Sequence, residues 1–280
     1  MYKIVMAAFV ALSAILVACG SLPTSGGGNN ASEVIAYISD DTTTLVTFDV
    51  SALRADPDME DVYETYEDYF VQQTDFIGED VFEDTDLLSR VISDSGYLLY
   101  VQGTLDTSGI EDELEDMGYE DDEYREVQIW QGSGMWSNIA FLGEDKALLG
   151  QQESTVKDAV RASKGEQETL SSNEHASDVI KKLPHGFVTM VSLECDSDLD
   201  LSGCESMGIT VTKEDASTLN VTAVLKFSDD RRAERALEDF EDSLGDDEDY
   251  FGIEVKQSGQ YLEAKAKIDL GDYADSPMIF

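Results

Sequence analysis

Basic side chains are scarce in this chain. Its 280 residues include 18 Lys and Arg against 60 Asp and Glu, so the formal net charge at pH 7 is −42. A polyanion gains nothing by releasing the counterions of another polyanion, and this charge therefore argues against DNA or RNA as a partner. The same repulsion disfavours adsorption to anionic lipid. We expect no nucleic-acid binding.

Histidine and cysteine are equally scarce, with 2 and 3 residues. These side chains carry much of the acid–base and thiolate chemistry that proteins perform near neutral pH. The chain also lacks a Gly-rich phosphate loop with its Lys and a Gly-x-Ser-x-Gly elbow. Carboxylates are so numerous that no pair stands out as a catalytic acid and nucleophile. We therefore expect no enzyme activity, no catalytic residues, no bound metal and no cofactor.

Hydrophobic residues, in contrast, are plentiful. They make up 42% of the chain, and aromatic residues make up 9%. These fractions are sufficient for a packed core, so the charge alone does not make the chain disordered. The length is typical of one large domain or two small ones.

Residues 1–18 have the features of an export signal. Lys3 gives a positive start, and the apolar run that follows is too short to span a bilayer comfortably. The run closes with Leu16-Val17-Ala18-Cys19. This sequence resembles the bacterial lipobox, in which signal peptidase cuts before a cysteine whose thiol carries a diacylglycerol. An ordinary secretory signal followed by a chance cysteine is the alternative.

The resemblance implies a covalent lipid on Cys19 and a protein held at a membrane of the cell envelope, outside the cytoplasm. Two or three acyl chains hold a protein stably, whereas one chain binds reversibly. Residues 19–32 are rich in Gly and Ser and predict a flexible tether. No later segment approaches the length of a membrane span. The tether would hold the acidic body, residues 33–280, clear of the lipid head groups.

Cys195 and Cys204 are the remaining cysteines. An even number of cysteines in an exported chain indicates one disulfide bond. Such a bond would stabilise the fold by about 2–3 kcal/mol in the chain-entropy model. A redox-active pair is disfavoured because the Cys-x-x-Cys spacing is absent.

The loop between these cysteines carries Asp196, Asp198 and Asp200, which resemble the opening of a calcium-binding loop. The resemblance fails at position six, where Leu201 replaces Gly, and at position twelve, where Met207 replaces a bidentate Glu. We favour a solvated acidic loop, with calcium binding as the alternative.

Hydrophobic periodicity predicts strands and helices along the body. The predicted strands cover residues 43–50, 91–92, 97–102, 126–131, 137–142, 147–150, 187–193, 219–227, 253–257 and 261–268. The predicted helices cover residues 59–73, 107–117, 154–165, 173–182 and 228–244. Ser228 is the predicted N-cap of the last helix.

Residues 97–142 and 218–268 follow the same plan, which is a strand, a helix stopped by glycine, an acidic link and two strands. The acidic links are residues 121–124 and 246–250. This order suggests a duplicated β-α-β-β unit, although glycine stops in a uniformly acidic chain can also recur by chance. We therefore predict an α+β fold of antiparallel sheets with helices on one face. The candidate halves are residues 33–150 and 151–280.

Short apolar and turn signatures occur at Asp40–Pro57, Ala147–Gly150, Val156–Ala162, Leu170 and Leu183–Gly186. Together they resemble an exported bacterial family that is known as a domain of unknown function. The resemblance implies an exported, often membrane-attached α+β protein without assigned catalytic residues.

Two histidines, one aspartate and two tryptophans remain as candidate functional residues. We expect His175 on an exposed helix face and His185 in a surface turn, because neither belongs to a zinc-helix motif. Asp49 interrupts an apolar strand, and hydrogen bonding to the following turn is the ordinary explanation for such a residue. Trp130 and Trp136 flank a hairpin turn and would form an exposed aromatic patch or, more usually, pack across the strands.

These observations favour a lipid-anchored, acidic envelope protein with a non-catalytic structural or interaction role. The alternative is a solute-binding lipoprotein that delivers a small molecule to a transporter. That class normally has long β-α-β alternation and parallel sheets in two lobes, whereas the predicted hairpins indicate antiparallel pairing. An envelope hydrolase would need converging His or carboxylate side chains in a pocket. Because the negative charges repel one another, we also expect the body to be more stable in high salt.

Overall fold

The computed structural model describes residues 30–74, 82–195, 201–243 and 251–275. The predicted signal, Cys19 and most of the tether lie outside these residues, as do the three aspartates of the predicted calcium-like loop. The chain divides into two compact units between Asn173 and Glu174. We call residues 31–173 the N-terminal unit and residues 174–280 the C-terminal unit.

The N-terminal unit combines helices with antiparallel strands. It contains α1 (Ala31–Val34), β1 (Thr42–Asp49), α2 (Val50–Ala55), a 3-10 turn (Pro57–Met59), α3 (Glu60–Thr74), β2 (Thr85–Ser93), β3 (Gly96–Gly103), α4 (Thr107–Asp116), β4 (Glu120–Tyr124), β5 (Val127–Gln131), β6 (Asn138–Phe141), β7 (Lys146–Gly150), α5 (Glu153–Ser163) and a second 3-10 turn (Leu170–Ser172). Its strands pair in the order β1-β2-β3-β7-β6-β5-β4. Helix α1 begins at Ala31, which is inside the predicted tether.

Helices of this unit contact both faces of its strands. The register of paired residues places Phe48 and Gly150 on opposite faces. Tyr66 and Phe70 of α3 pack on Phe48, with ring centroids 4.9 and 5.7 Å away. On the other face, α5 is so close that a Cβ on Gly150 would lie 2.6 Å from Val156 Cγ2. The predicted α+β class with antiparallel sheets is confirmed. The prediction that the helices lie on one face is wrong for this unit, because α3 packs on the face of Phe48 and α5 packs on the face of Gly150.

Helix α5 determines where the two units divide. It packs against β3, β6 and β7 and buries Val156, Ala159 and Val160. The candidate halves assigned this helix to the second half because they divide at residue 150. The apolar side of α5 is instead buried on strands that precede it, so the N-terminal unit extends to Asn173.

The C-terminal unit has the same kind of architecture. It contains α6 (Glu174–Ile180), β8 (Val188–Ser192), β9 (Cys204–Lys213), β10 (Thr218–Phe227), α7 (Asp230–Ser243), β11 (Phe251–Ser258), β12 (Tyr261–Asp269) and α8 (Leu270–Asp275). Its strands pair antiparallel in the order β8-β9-β10-β12-β11.

Strand β9 is the largest element without a predicted counterpart in the sequence. Gly208 lies in its middle, where a Cβ would come 2.4 Å from Val179 Cγ1 and 2.7 Å from Leu183 Cδ1. Glycine in a strand interior often marks a place where another element approaches closely. Here it permits α6 and the turn after it to pack directly on β9.

Both units follow one topology. Each begins with a meander, β1-β2-β3 or β8-β9-β10, and then passes through α4 or α7 to β4 or β11. The chain returns so that β7 or β12 pairs with the third strand of the meander. The predicted β-α-β-β order is therefore present in both units, and the N-terminal unit has β5 and β6 as additional strands.

The predicted acidic link at residues 121–124 is part of strand β4. This strand pairs with β5 through a two-residue turn at Arg125 and Glu126, which have φ angles of 56° and 62°. Turns that need positive φ at both positions usually contain Asn-Gly or Asp-Gly. The sequence Arg-Glu therefore does not predict this hairpin turn. The corresponding link at residues 246–250 lies outside the described residues.

The N-cap of α7 is Asp229 and not Ser228. Its Oδ1 accepts hydrogen bonds from the backbone N–H groups of Arg231 and Arg232, at 3.0 and 3.1 Å. An aspartate satisfies these N–H groups as well as serine does, and its charge also favours the positive end of the helix dipole.

Candidate functional site

Cys195 and Cys204 form a disulfide bond, with Cα atoms 5.9 Å apart. The predicted pairing is therefore confirmed. The end of the enclosed loop is attached to α7, because Arg232 Nη1 donates hydrogen bonds to the carbonyl and hydroxyl oxygens of Ser202, at 3.0 and 2.8 Å. The bond thus links the end of β8 to the start of β9 beside the first turn of α7.

Removal of this disulfide should destabilise the C-terminal unit. The cysteines are 9 positions apart, and opening a loop of this length should lower the free energy of unfolding by about 2–3 kcal/mol. Urea unfolding of the Cys195→Ala/Cys204→Ala variant measures the loss. A reductant should bring the wild-type protein to the stability of the variant and leave the variant unchanged. Equal stability of the oxidised wild-type protein and the variant would contradict this expectation.

The polar face of β10 is covered. Its register places Asn220, Thr222 and Lys226 on one face, the face that also carries Gly208 of β9. A half-buried strand would leave this face in solvent, but Thr222 is only 4% exposed and Lys226 only 6%. Val179 of α6 lies against Gly208, so α6 covers this face beside Lys226.

An ion pair holds α6 on the strands. Lys226 Nζ donates a hydrogen bond to Asp178 Oδ2 at 2.9 Å, and the Tyr261 hydroxyl donates to the same oxygen at 3.3 Å. Lys181 Nζ lies 3.8 Å from Asp178 Oδ1. Lys182 Nζ lies 4.1 Å from the centroid of the Tyr261 ring, in a cation–π contact. We call these five residues the Asp178 cluster.

Asp178 and Lys226 each stabilise the charged form of the other. Burial disfavours the ammonium form of Lys226, but the hydrogen bond and negative charge of Asp178 outweigh burial and raise the pKa of Lys226. The same hydrogen bond holds the pKa of the Asp178 carboxyl below its ordinary value. Neither group titrates near pH 7, so the pair is suited to fixing α6 in place and not to transferring protons.

A pocket of about 260 Å³ opens further along the same face. It is lined by Pro184, Thr212, Asn220, Thr222, Gly252, Lys265, Ala266 and Lys267. Asn220 lies opposite both Thr212 and Lys267, and Thr222 lies opposite Lys265. Directly opposite residues share a face, so these polar side chains project into one space.

The candidate aspartate and tryptophans have structural roles. Asp49 caps α2, since its Oδ1 accepts hydrogen bonds from Ala52 N–H and the Ser51 hydroxyl, both at 2.8 Å. The local explanation for Asp49 is therefore confirmed. Trp130 and Trp136 are 6% and 5% exposed. They pack in the core, and an exposed aromatic patch at this hairpin is excluded.

The two histidines lie at the surface, as predicted. His175 is partly exposed, and its Nδ1 lies 3.3 Å from Glu205 Oε2. His185 is exposed, with Nε2 2.7 Å from Asn30 Oδ1. Within residues 30–74, 82–195, 201–243 and 251–275, no three His, Cys, Asp or Glu side chains are grouped so that they could hold a metal ion.

Local sequence patterns do not predict the Asp178 cluster or the pocket. The available signal was Lys226, which stands between Leu225 and Phe227 in a strongly apolar strand. A lysine at such a position needs a partner if it is covered. The partner is 48 positions away on α6, and only the fold brings the two together.

The fold has precedents among solved structures. Crystal form I of TP0453 is similar to this chain with a TM-score of 0.52 and 9% sequence identity, over 86% of this chain and 94% of that chain. Crystal form IV of TP0453 gives a TM-score of 0.53 and 8% identity, with the same coverage. At these identities the similarity shows the fold alone. No family model matches the chain, and no curated protein matches it.

Proposed function

We propose that the chain is a bacterial lipoprotein, anchored through a lipid on Cys19 to a membrane of the cell envelope, with a non-catalytic binding or structural role for its acidic body. The observation that carries this proposal is Leu16-Val17-Ala18-Cys19 at the end of a short apolar run. A leucine three positions before the cysteine and a small residue directly before it are the features of a lipobox. The resemblance to an exported family supports the same location.

The disulfide supports export. Disulfide bonds persist in oxidising compartments and are rare in the cytosol of most organisms. Cys195 and Cys204 form such a bond, which leaves Cys19 as the remaining cysteine of the chain. The lipobox cysteine and the disulfide-bonded pair together account for all three cysteines of the chain.

A lipid is the anchor that this proposal assigns. Among the residues that the structure describes, no helix is both long and apolar enough to cross a membrane. A diacylglycerol with a further acyl chain is sufficient for stable attachment.

The body favours binding or structural support over catalysis. Lys226 and Lys181 are paired with Asp178, and the candidate histidines are at the surface. The strands of each unit pair antiparallel, whereas the solute-binding lipoproteins of transport systems normally have parallel lobes. These features support an interaction role that does not require a transporter.

Substitution of Cys19 tests the anchor. Cys19→Ser should abolish incorporation of radiolabelled palmitate in a bacterial host, because serine offers no thiol for the lipid. Ser21→Ala is the matched control, since it changes a nearby small residue and should leave the labelling intact. An unlabelled wild-type protein, or equal labelling of Cys19→Ser, would contradict the proposal. Both variants should have the melting temperature of the wild-type body.

A further inference from the structure

We propose that the pocket beside Pro184 in the C-terminal unit binds a small organic anion with a carboxylate or phosphate group. The binding residues are Asn220, Thr222, Lys265 and Lys267, together with Thr212. This inference is independent of the lipid anchor, because the pocket is built only from residues of the folded body.

Uncharged donors line the floor of the pocket. In the part of the chain that the structure describes, the side chains of Thr212, Asn220 and Thr222 have no hydrogen-bond partner. Thr222 is only 4% exposed. Polar groups at buried positions are nearly always hydrogen-bonded. Two hydroxyls and one amide that face the same space are therefore ready to receive the oxygen atoms of a ligand.

Two lysines supply the positive charge. Lys265 lies opposite Thr222, and Lys267 lies opposite Asn220. Lys265 Nζ is 2.9 Å from Glu263 Oε1, and Lys267 Nζ is 2.5 Å from Glu214 Oε1. An ammonium group has three N–H donors, and one carboxylate contact leaves others available. Partly exposed ion pairs of this kind contribute little to stability, so a ligand oxyanion can share or replace the carboxylate.

The acidity of the chain does not prevent this binding. The net charge of −42 repels anions at long range, but at physiological ionic strength the screening length is about 8 Å. Inside the pocket, the charges nearest to a ligand therefore determine whether an anion binds. The lining residues include two lysines and no Asp or Glu. Each ammonium group also contacts one glutamate outside the lining, but its remaining N–H donors and the three neutral side chains favour an oxyanion over a cation at this position.

The size of the pocket and its rim favour a small ligand with a carbon skeleton. A volume of about 260 Å³ is slightly below the usual range for small-molecule sites. Pro184 forms one wall. Phe251 is 49% exposed and lies opposite Lys267 on the neighbouring strand, next to the lining residue Gly252. An exposed aromatic ring beside lysines suits an anion with an attached apolar part.

Titration of the detergent-solubilised full chain tests this inference. Amide shifts would be followed by NMR while inorganic phosphate, succinate or glucose is added at constant ionic strength. We expect saturable shifts at Asn220, Thr222, Lys265 and Lys267 with phosphate or succinate, and none with glucose. The more tightly bound of the two anions identifies the preferred oxyanion.

Three variants separate binding from folding. Lys267→Gln should weaken the bound anion about tenfold, because it removes a charged hydrogen-bond donor. Lys164→Gln removes the same charge from the N-terminal unit and should leave the affinity unchanged. Asn220→Ala keeps both lysines and should also weaken binding, which provides a second test if Lys267→Gln perturbs the fold. The inference is overturned if neither anion gives saturable shifts, if glucose binds as well as the anions, or if the folded pocket variants bind with wild-type affinity.

Discussion

Asp178→Asn should lower the free energy of unfolding of the C-terminal unit by about 3 kcal/mol at pH 7, the lower end of the range for breaking a buried ion pair. The substitution leaves the ammonium group of Lys226, whose side chain is 7% exposed, without its negative partner. The Asp178 side chain is 36% exposed. Because water screens this carboxylate, the expected loss lies at the lower end of that range.

Lys226→Met is the matched control. It removes the buried cation, fills a similar volume with an apolar side chain and leaves a partly exposed carboxylate near Lys181. We expect it to cost less than about 1 kcal/mol. The double variant Asp178→Asn/Lys226→Met should then have a free energy of unfolding close to that of Lys226→Met. If Asp178→Asn proves no more destabilising than Lys226→Met in urea unfolding, α6 is not held by this ion pair.

The pH dependence of this effect has a defined sign. The pKa of Asp178 is lowered from its ordinary value of 3.8, so its contribution to stability is fully present above that value and is lost as the pH falls through the lowered pKa. The pKa of Lys226 is raised from 10.5, so its contribution is present below that value and is lost as the pH rises through the raised pKa. The difference between the wild-type protein and Asp178→Asn should therefore be constant across the neutral range.

Salt should stabilise the body strongly, and the N-terminal unit most of all. Residues 31–173 contain 35 Asp and Glu against 7 Lys and Arg, whereas residues 174–280 contain 25 against 10. Between about 0.01 and 0.15 M NaCl the screening length falls from about 30 to about 8 Å, which weakens repulsion between exposed charges. We expect the melting temperature to rise by about 10 °C between about 0.01 and 0.5 M NaCl. This rise corresponds to a gain of roughly 3–4 kcal/mol in the free energy of unfolding.

A charge variant distinguishes screening from other effects of salt. Glu120→Gln/Glu123→Gln neutralises two exposed side chains of β4. It should raise the melting temperature in dilute buffer and have little effect in high salt, where repulsion is already screened. Hydrogen exchange followed by mass spectrometry should show a larger gain in protection for the N-terminal unit than for the C-terminal unit. A melting temperature that does not rise with NaCl would contradict the expected self-repulsion.

The elements that the sequence predicted correctly are those with a strong local pattern. Alternation predicted β1 and β10, and the apolar stripe predicted α7, each close to its observed limits. The missed elements lack such a pattern. Four of the five residues of strand β4 are acidic, and the strand depends on a turn at Arg125 and Glu126 that has unusual residues for its geometry. Strand β9 contains Gly208, whose place is explained only by the packing of α6.

The candidate site could not be predicted because it depends on contacts between distant segments. The pattern of β10 shows that Asn220, Thr222 and Lys226 share a face, but it does not show that α6 covers part of that face. Lys226 and Asp178 meet across 48 positions of sequence. The pocket needs side chains from β9, β10 and β12 in register, and sequence spacing does not fix that register.

Mass spectrometry of the N-terminal peptide, from protein isolated from its native membranes, tests the central claim most directly. We predict that the chain begins at Cys19, with a diacylglycerol on the sulfur atom and the signal residues 1–18 removed. A peptide that still begins at Met1, or one in which Cys19 carries a free thiol, would contradict the account of this protein as a lipid-anchored body.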